Sequence, residues 1–179
     1  MNDLLGDYAA FFSLQVRRLA ELGIAVTGYR VSHLAFRTET LAEYLEVRSG
    51  LEAHCAANVE NVWNGRPISK ILLERSLSLP GGQQCDLIEL IPPPHQAEYR
   101  MGLEHVGFAV GDDFPRFERR FSNVFTGRQF QTDECQPYYV RFADNTNVKF
   151  YPRTLLEYCV SEGHSFDGIY HTAGGVDSA

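Results

Sequence analysis

Two histidines, one in each half of the chain, open segments built alike: Ser32-His33-Leu34-Ala35-Phe36 and Glu104-His105-Val106-Gly107-Phe108. Successive side chains of an extended strand point to opposite faces. His33, Ala35 and Arg37 therefore share one face, as do His105, Gly107 and Ala109, while Leu34, Phe36, Val106, Phe108 and Val110 turn the other way into a core. An imidazole flanked by small residues, on the face away from the core, suits an open cleft. Its repetition predicts a duplicated fold whose halves each bring one ligand to a shared site. Two more positions match when the chain is anchored on its prolines, because Ile88-Glu89-Leu90-Ile91-Pro92 then lies over Val148-Lys149-Phe150-Tyr151-Pro152. The four equivalent positions are His33, Glu89, His105 and Lys149.

These side chains must be carried by elements that also repeat. Leu4, Tyr8, Phe11, Phe12, Leu19 and Leu22 recur at helical spacing, so Asp3 to Leu22 reads as one amphipathic helix ended by Gly23. A strand Val31–Arg37 follows, then a helix over roughly Leu41–Ala57, capped by Thr38 or Thr40, with Leu41, Leu45 and Leu51 toward the sheet. Strands near Val59–Trp63 and Pro67–Leu73 flank Asn64-Gly65, a strong hairpin signal, and Cys85–Ile91 returns after Pro80-Gly81-Gly82. Pro92-Pro93-Pro94 stops the ladder. The order then recurs as strand Glu104–Val110, helix Phe114–Phe125, strands Gln129–Thr132, Tyr138–Phe142 and Asn147–Tyr151, and a short helix Thr154–Val160.

A unit of one helix and four strands leaves a sheet face and edges uncovered. Sequence order alone also permits a ferredoxin-like arrangement, but the repetition with matching histidines favours pairing. The expected fold class is α+β: two paired βαβββ modules forming a curved mixed sheet around a cleft, with an added N-terminal helix. The expected divisions are 1–30 for that helix, 31–94 and 95–162 for the modules, and 163–179 for a polar, glycine-rich mobile tail.

The bulk numbers suit this plan. The chain has 179 residues, 44% apolar and 22% charged, which fits an ordinary globular protein. A net charge of −7 without a basic cluster argues against nucleic acid as a partner. No apolar run approaches the roughly 18–20 residues that cross a bilayer, and Met1–Asp7 lacks a basic n-region, so the expected location is the cytoplasm. Cys55, Cys85, Cys135 and Cys159 lack C-x-x-C spacing and are expected to be reduced thiols.

The chain resembles the vicinal oxygen chelate superfamily, which includes glyoxalase I, extradiol dioxygenases and bleomycin-resistance proteins. Within it the chain looks most like the YecM-like family, through Ser32–Arg37, Asn64–Ile68, Ile88–Leu90, Gly102–Val106 and Val148–Pro152. The superfamily pairs βαβββ modules around a divalent metal held by the first and last strands of each module. The resemblance implies His33, Glu89 and His105 as ligands, with Zn, Mn or Fe as the cofactor. It also implies a small oxygen-bearing substrate chelated through adjacent oxygens, with isomerase, lyase or dioxygenase chemistry.

Lys149 departs from the pattern, since many relatives carry a fourth ligand there. An ammonium about 4 Å from a divalent cation is repelled by about 8 kcal/mol at an effective dielectric near 20. Lys149 therefore leans away toward substrate as a catalytic group, loses its proton, or occupies a site that holds no metal. In the metal-free alternative Glu89 pairs with Lys149, the histidines bond to the carboxylate, and the protein binds or sequesters a small molecule. Tyr151 shares the face of Lys149 and is a second catalytic candidate. Arg37 is read either as a fork for a substrate carboxylate or as an exposed sheet-end charge. Arg66, after the hairpin turn, is read as a substrate contact or a solvated residue. Both modules lie in one chain, so a monomer completes the site, and a homodimer is also open.

Overall fold

In the computed structural model, which describes residues 1–172, nine strands form one open mixed sheet. In chain order they are β1 (Arg30–Arg37), β2 (Cys55–Trp63), β3 (Arg66–Leu79), β4 (Gln83–Ile91), β5 (Gly102–Ala109), β6 (Gly127–Arg128), β7 (Tyr138–Arg141), β8 (Asn147–Tyr151) and β9 (Ile169–Tyr170). Their spatial order is β6-β7-β8-β5-β1-β4-β3-β2-β9. Apart from β9 this order is a palindrome of module positions. Each module's first strand runs parallel to its last, β1 with β4 and β5 with β8. The two first strands meet antiparallel at the centre. The duplication expected from the histidines is therefore the architecture.

Helices α2 (Tyr8–Glu21), α3 (Leu41–Glu52) and α4 (Phe114–Phe121) cover one face. Their burial follows from apolar spacing: Phe11, Phe12 and Leu19 of α2 pack with Leu34, Phe108 and Phe150 of the sheet. Asp7 caps α2 by accepting from Ala10 N at 2.9 Å, and Thr40 caps α3 by accepting from Glu43 N at 3.1 Å. The opposite face is the cleft. It is closed at one end by α5 (Leu155–Ser161), which Thr154 and Glu157 start with a reciprocal capping box.

Several boundaries differ from the sequence reading. The single N-terminal helix is two, because Gly6 at φ 73° ends α1 (Asn2–Leu5) before Asp7 begins α2. The second helix stops at Glu52, not Ala57, and β2 starts at Cys55. Leu51 faces the sheet as expected, but Leu45 is 45% exposed and Tyr44 takes its place on that face. The strand expected at Gln129–Thr132 is not formed; a two-residue strand precedes it at Gly127–Arg128, and Gln129–Thr132 form part of the cleft wall. The stretch from Gly163, expected to be mobile, instead pairs Ile169 and Tyr170 in parallel with Asn58 and Val59. Thr172 is fastened there too, donating to Glu60 at 2.8 Å; the remainder of the expected tail, 173–179, lies outside the described residues. All four cysteines are free thiols. No helix among the described residues is long and apolar enough to cross a membrane.

Candidate metal centre

The two central strands aim the histidines with the same device. On β1, Val31 pairs with Phe108 and His33 with Gly107, which leaves Ser32 without a partner. On β5, His105 pairs with Ala35 and Leu103 with Phe36, which leaves Glu104 without one. Each is the extra residue of a β-bulge, which re-aims side chains that strict alternation would send to opposite faces. Ser32 Oγ consequently shares a hydrogen bond of 2.9 Å with Nδ1 of His33, and Glu104 Oε2 accepts from Nδ1 of His105 at 2.7 Å. The Nε2 atoms then meet at 3.1 Å, with the rings at 87°. Gly107 opposite His33 leaves room for the ring, since a Cβ there would stand 2.4 Å from Cε1.

Glu89 arrives from β4, whose register with β1 sets it beside Ala35, one strand from His105. Its Oε2 lies 3.2 Å from Nε2 of His105 and 3.7 Å from Nε2 of His33. This buried oxygen has no aligned hydrogen-bond partner in the structure. A circle through three donor atoms so spaced has a radius of about 1.9 Å, just short of the 2.0–2.2 Å metal bonds of imidazole and carboxylate. The spacing of the three donors therefore fits a divalent cation.

Electrostatics keep the donors in ligating form. Complete burial lowers the His33 pKa to about 3, so the ring is neutral. Burial alone would raise the Glu89 carboxyl, but the nearby imidazoles and Lys149 outweigh it and hold it well below the usual carboxylate range. Glu104 is also held low: burial opposes ionisation, while His105, Lys149 and Arg37 favour it more strongly. An ionised Glu104 can only accept, so it takes Nδ1–H of His105 and turns Nε2 to the centre. Its remaining capacity is filled by Arg37 Nη2 at 3.1 Å and Asn147 Nδ2 at 2.6 Å.

The structure brings His33, Glu89 and His105 together as expected and redistributes the other candidates. Lys149 lines the same cleft, and burial lowers its pKa. It forms no ion pair with Glu89, whose charge partners are the imidazoles. Tyr151 does not reach the cleft: it is fully buried, its ring 5.6 Å from that of His33 and its hydroxyl without a partner. Arg37 is neither an exposed charge nor a free fork. It is 4% exposed, binds Glu104, donates to His95 Nδ1 at 3.1 Å and stacks under Tyr99 at 3.8 Å. Its Nη2 holds Glu104 in place. Arg66, read as solvated or substrate-contacting, is buried in the cleft wall, donating to Pro94 O beside the Trp63 ring.

Glu104, Asn147 and Lys70 were missed. The signal for Glu104 was present: a carboxylate stood on what alternation made the core-facing side of β5, as Ser32 stood on β1. A charge on an apolar face is unfavourable unless the ladder is broken there. Lys70 aligns in register with Glu89 across β3 and β4, a relation that needs the pairing partner and not the local pattern.

The cleft holds about 370 Å³, room for a small molecule. The family model described as YecM protein matches residues 1–160. A solved structure described as Structural Genomics, Protein EC4020, is 24% identical over 89% of this chain and 93% of its own, with a TM-score of 0.70, and shares the fold. A glyoxalase I mutant from Zea mays is 15% identical over 68% of this chain and 42% of its own, at a TM-score of 0.43. The 2,3-dioxygenase LapB from Pseudomonas sp. KL28 is 15% identical over 76% and 43%, also at 0.43. The last two are members of the vicinal oxygen chelate superfamily. No curated protein matches the chain.

Proposed function

The chain belongs to the YecM family, and we propose that it is an enzyme using a divalent cation, held by His33, Glu89 and His105, to act on a small substrate bearing adjacent oxygens. The observation that carries this reading is the convergence of three buried donors, one of them a carboxylate oxygen without a hydrogen bond, on a point at metal-bond distance. When bound, the cation supplies Lewis-acid charge that stabilises an enolate or related oxyanion during isomerisation, addition or elimination.

The chain's own residues do the rest. Glu104, pinned by Arg37 and Asn147, fixes the His105 ring and its tautomer. Ser32 fixes His33 while accepting the first-turn amide of α5 from Leu155 at 2.7 Å, which ties the cleft's end wall to the centre. Lys149 is buried in the cleft without a carboxylate partner, and its lowered pKa suits donating or accepting a proton at the substrate. Tyr151 backs the His33 ring rather than meeting substrate. The four free thiols fit a reducing compartment, the cytoplasm.

Two histidines and one carboxylate also suit Fe(II) and oxygen chemistry. No histidine is among the described residues that line the cleft, so ring-opening dioxygenation would lack an imidazole acid–base group. The metal-free binding alternative requires both the imidazoles and Lys149 to pair with Glu89; the imidazoles lie beside it, and Lys149 forms no ion pair with it. Titrating chelator-treated protein with Co(II) tests the reading. One equivalent is expected to bind to the wild type, and binding is expected to fail in His105→Ala and Glu89→Gln. A folded wild type that takes up no divalent ion removes the proposal.

A further inference from the structure

We propose that the substrate carries a second, anionic group, a carboxylate or phosphate, seated at Arg66 at the far end of an apolar floor from the metal centre. This rests on the metal reading for the position of the reacting end and on separate residues for the anion. The chain as a whole has a net charge of −7, yet the cleft wall is cationic. Arg66, Lys70 and Lys149 all line it, at 3%, 5% and 8% exposure.

None of the three has a carboxylate within ion-pairing distance among the described residues. The two buried acids that share the wall are already engaged: Glu89 faces the imidazoles, and Glu104 accepts from His105, Arg37 and Asn147. Among the described residues Lys70 is held only by neutral oxygens, those of Asn61 and Ile68. Arg66 donates through Nη1 to Pro94 O, and its buried Nε has no partner. Buried cationic groups without counter-charge are unfavourable unless an anion completes them, and a guanidinium with an unused N–H is built for an oxyanion.

Strand geometry fixes where that anion lies. Arg66, Ile68 and Lys70 alternate onto the cleft face of β3. Lys70 is in register with Glu89, so Arg66 stands four residues, about 13 Å of backbone, farther along. Between them Ile68 packs with Ile91, Ala35 and Trp63 as a small apolar cluster. A substrate spanning this cleft has oxygens for the cation at one end, a short hydrocarbon middle and an anionic tail.

Isothermal titration of the metal-loaded protein with 2-oxoglutarate and with 2-oxopentanoate tests this, because both present the same chelating end and only the first has a charged tail. The wild type is expected to prefer 2-oxoglutarate by about tenfold or more, a preference kept in part by Arg66→Lys and abolished in Arg66→Gln. Retained Co(II) uptake by both variants shows that they fold. Equal affinities in the wild type, or a preference that survives Arg66→Gln, overturn the inference while leaving the metal centre standing. If the protein binds no metal but still binds inorganic phosphate in an Arg66-dependent way, the anion site stands and the metal reading falls.

Discussion

Gly107→Ala should disable the metal centre without touching a ligand. The position has no unusual backbone angle, so the substitution acts through space alone. The new Cβ would lie 2.4 Å from Cε1, 2.7 Å from Nδ1 and 3.1 Å from Nε2 of His33. Carbon atoms in ordinary contact stand about 3.5–4.0 Å apart, so the ring must retreat by about 1 Å. It has little room: Ser32 holds one edge at 2.9 Å, and Tyr151 and His105 flank it. Overpacking of this kind costs about 1–3 kcal/mol of stability. A metal ligand tolerates displacement of only about 0.2 Å, so the shifted Nε2 no longer completes the triad, and affinity should fall by about 100-fold or more. Calorimetric titration with Zn(II), alongside urea denaturation, measures both effects. Gly28→Ala is the control, because nothing lies within 4 Å of its added Cβ. Wild-type zinc affinity in Gly107→Ala would refute the close approach of the two central strands as the basis of the site.

Glu104→Gln should weaken metal binding by about 10–100-fold while leaving all three ligands in place, because it removes the charge that fixes His105; competition with a chromophoric chelator reads this, and unchanged affinity would contradict the role given to Glu104. The metal-free protein should also lose stability as pH falls. The His33 pKa is depressed from 6.5 to about 3, so above pH 6.5 both folded and unfolded states hold it neutral. Below that, only the unfolded chain takes the proton, and stability falls by about 1.4 kcal/mol per pH unit, or about 2 kcal/mol by pH 5. Glu89 and Glu104, both held below their unfolded pKa of 4.5, add losses only at lower pH. Denaturation midpoints of the wild type and His33→Gln across pH 5–7 isolate the term, and identical slopes would contradict it.

How much of this the chain discloses on its own depends on the range of the interaction. The histidines, their small neighbours and the proline-anchored match of Glu89 with Lys149 were legible, because strand alternation and duplication are local patterns. The bulges at Ser32 and Glu104 were not, since alternation assumes an unbroken ladder and sends these residues to the core. Arg37 illustrates the next level: its type was right for gripping a carboxylate, but the carboxylate is Glu104 of this chain rather than a ligand's. Burial of Arg66 depends on Pro94 and Trp63 folding over it, and the role of Lys70 depends on the register of β3 with β4. Neither relation is encoded within a few residues. The stretch from Gly163 misled for the same reason, because its order comes from β2 and Glu60 and not from its own composition.

The most direct test of the account is anomalous diffraction from a crystal of the protein grown with Zn(II) or Mn(II), recorded above and below the metal's absorption edge. The account predicts one strong peak bonded to Nε2 of His33, Nε2 of His105 and a carboxylate oxygen of Glu89, with Lys149 turned away from it. A well-ordered cleft without such a peak, or with the Lys149 ammonium seated among the three donors, would contradict it.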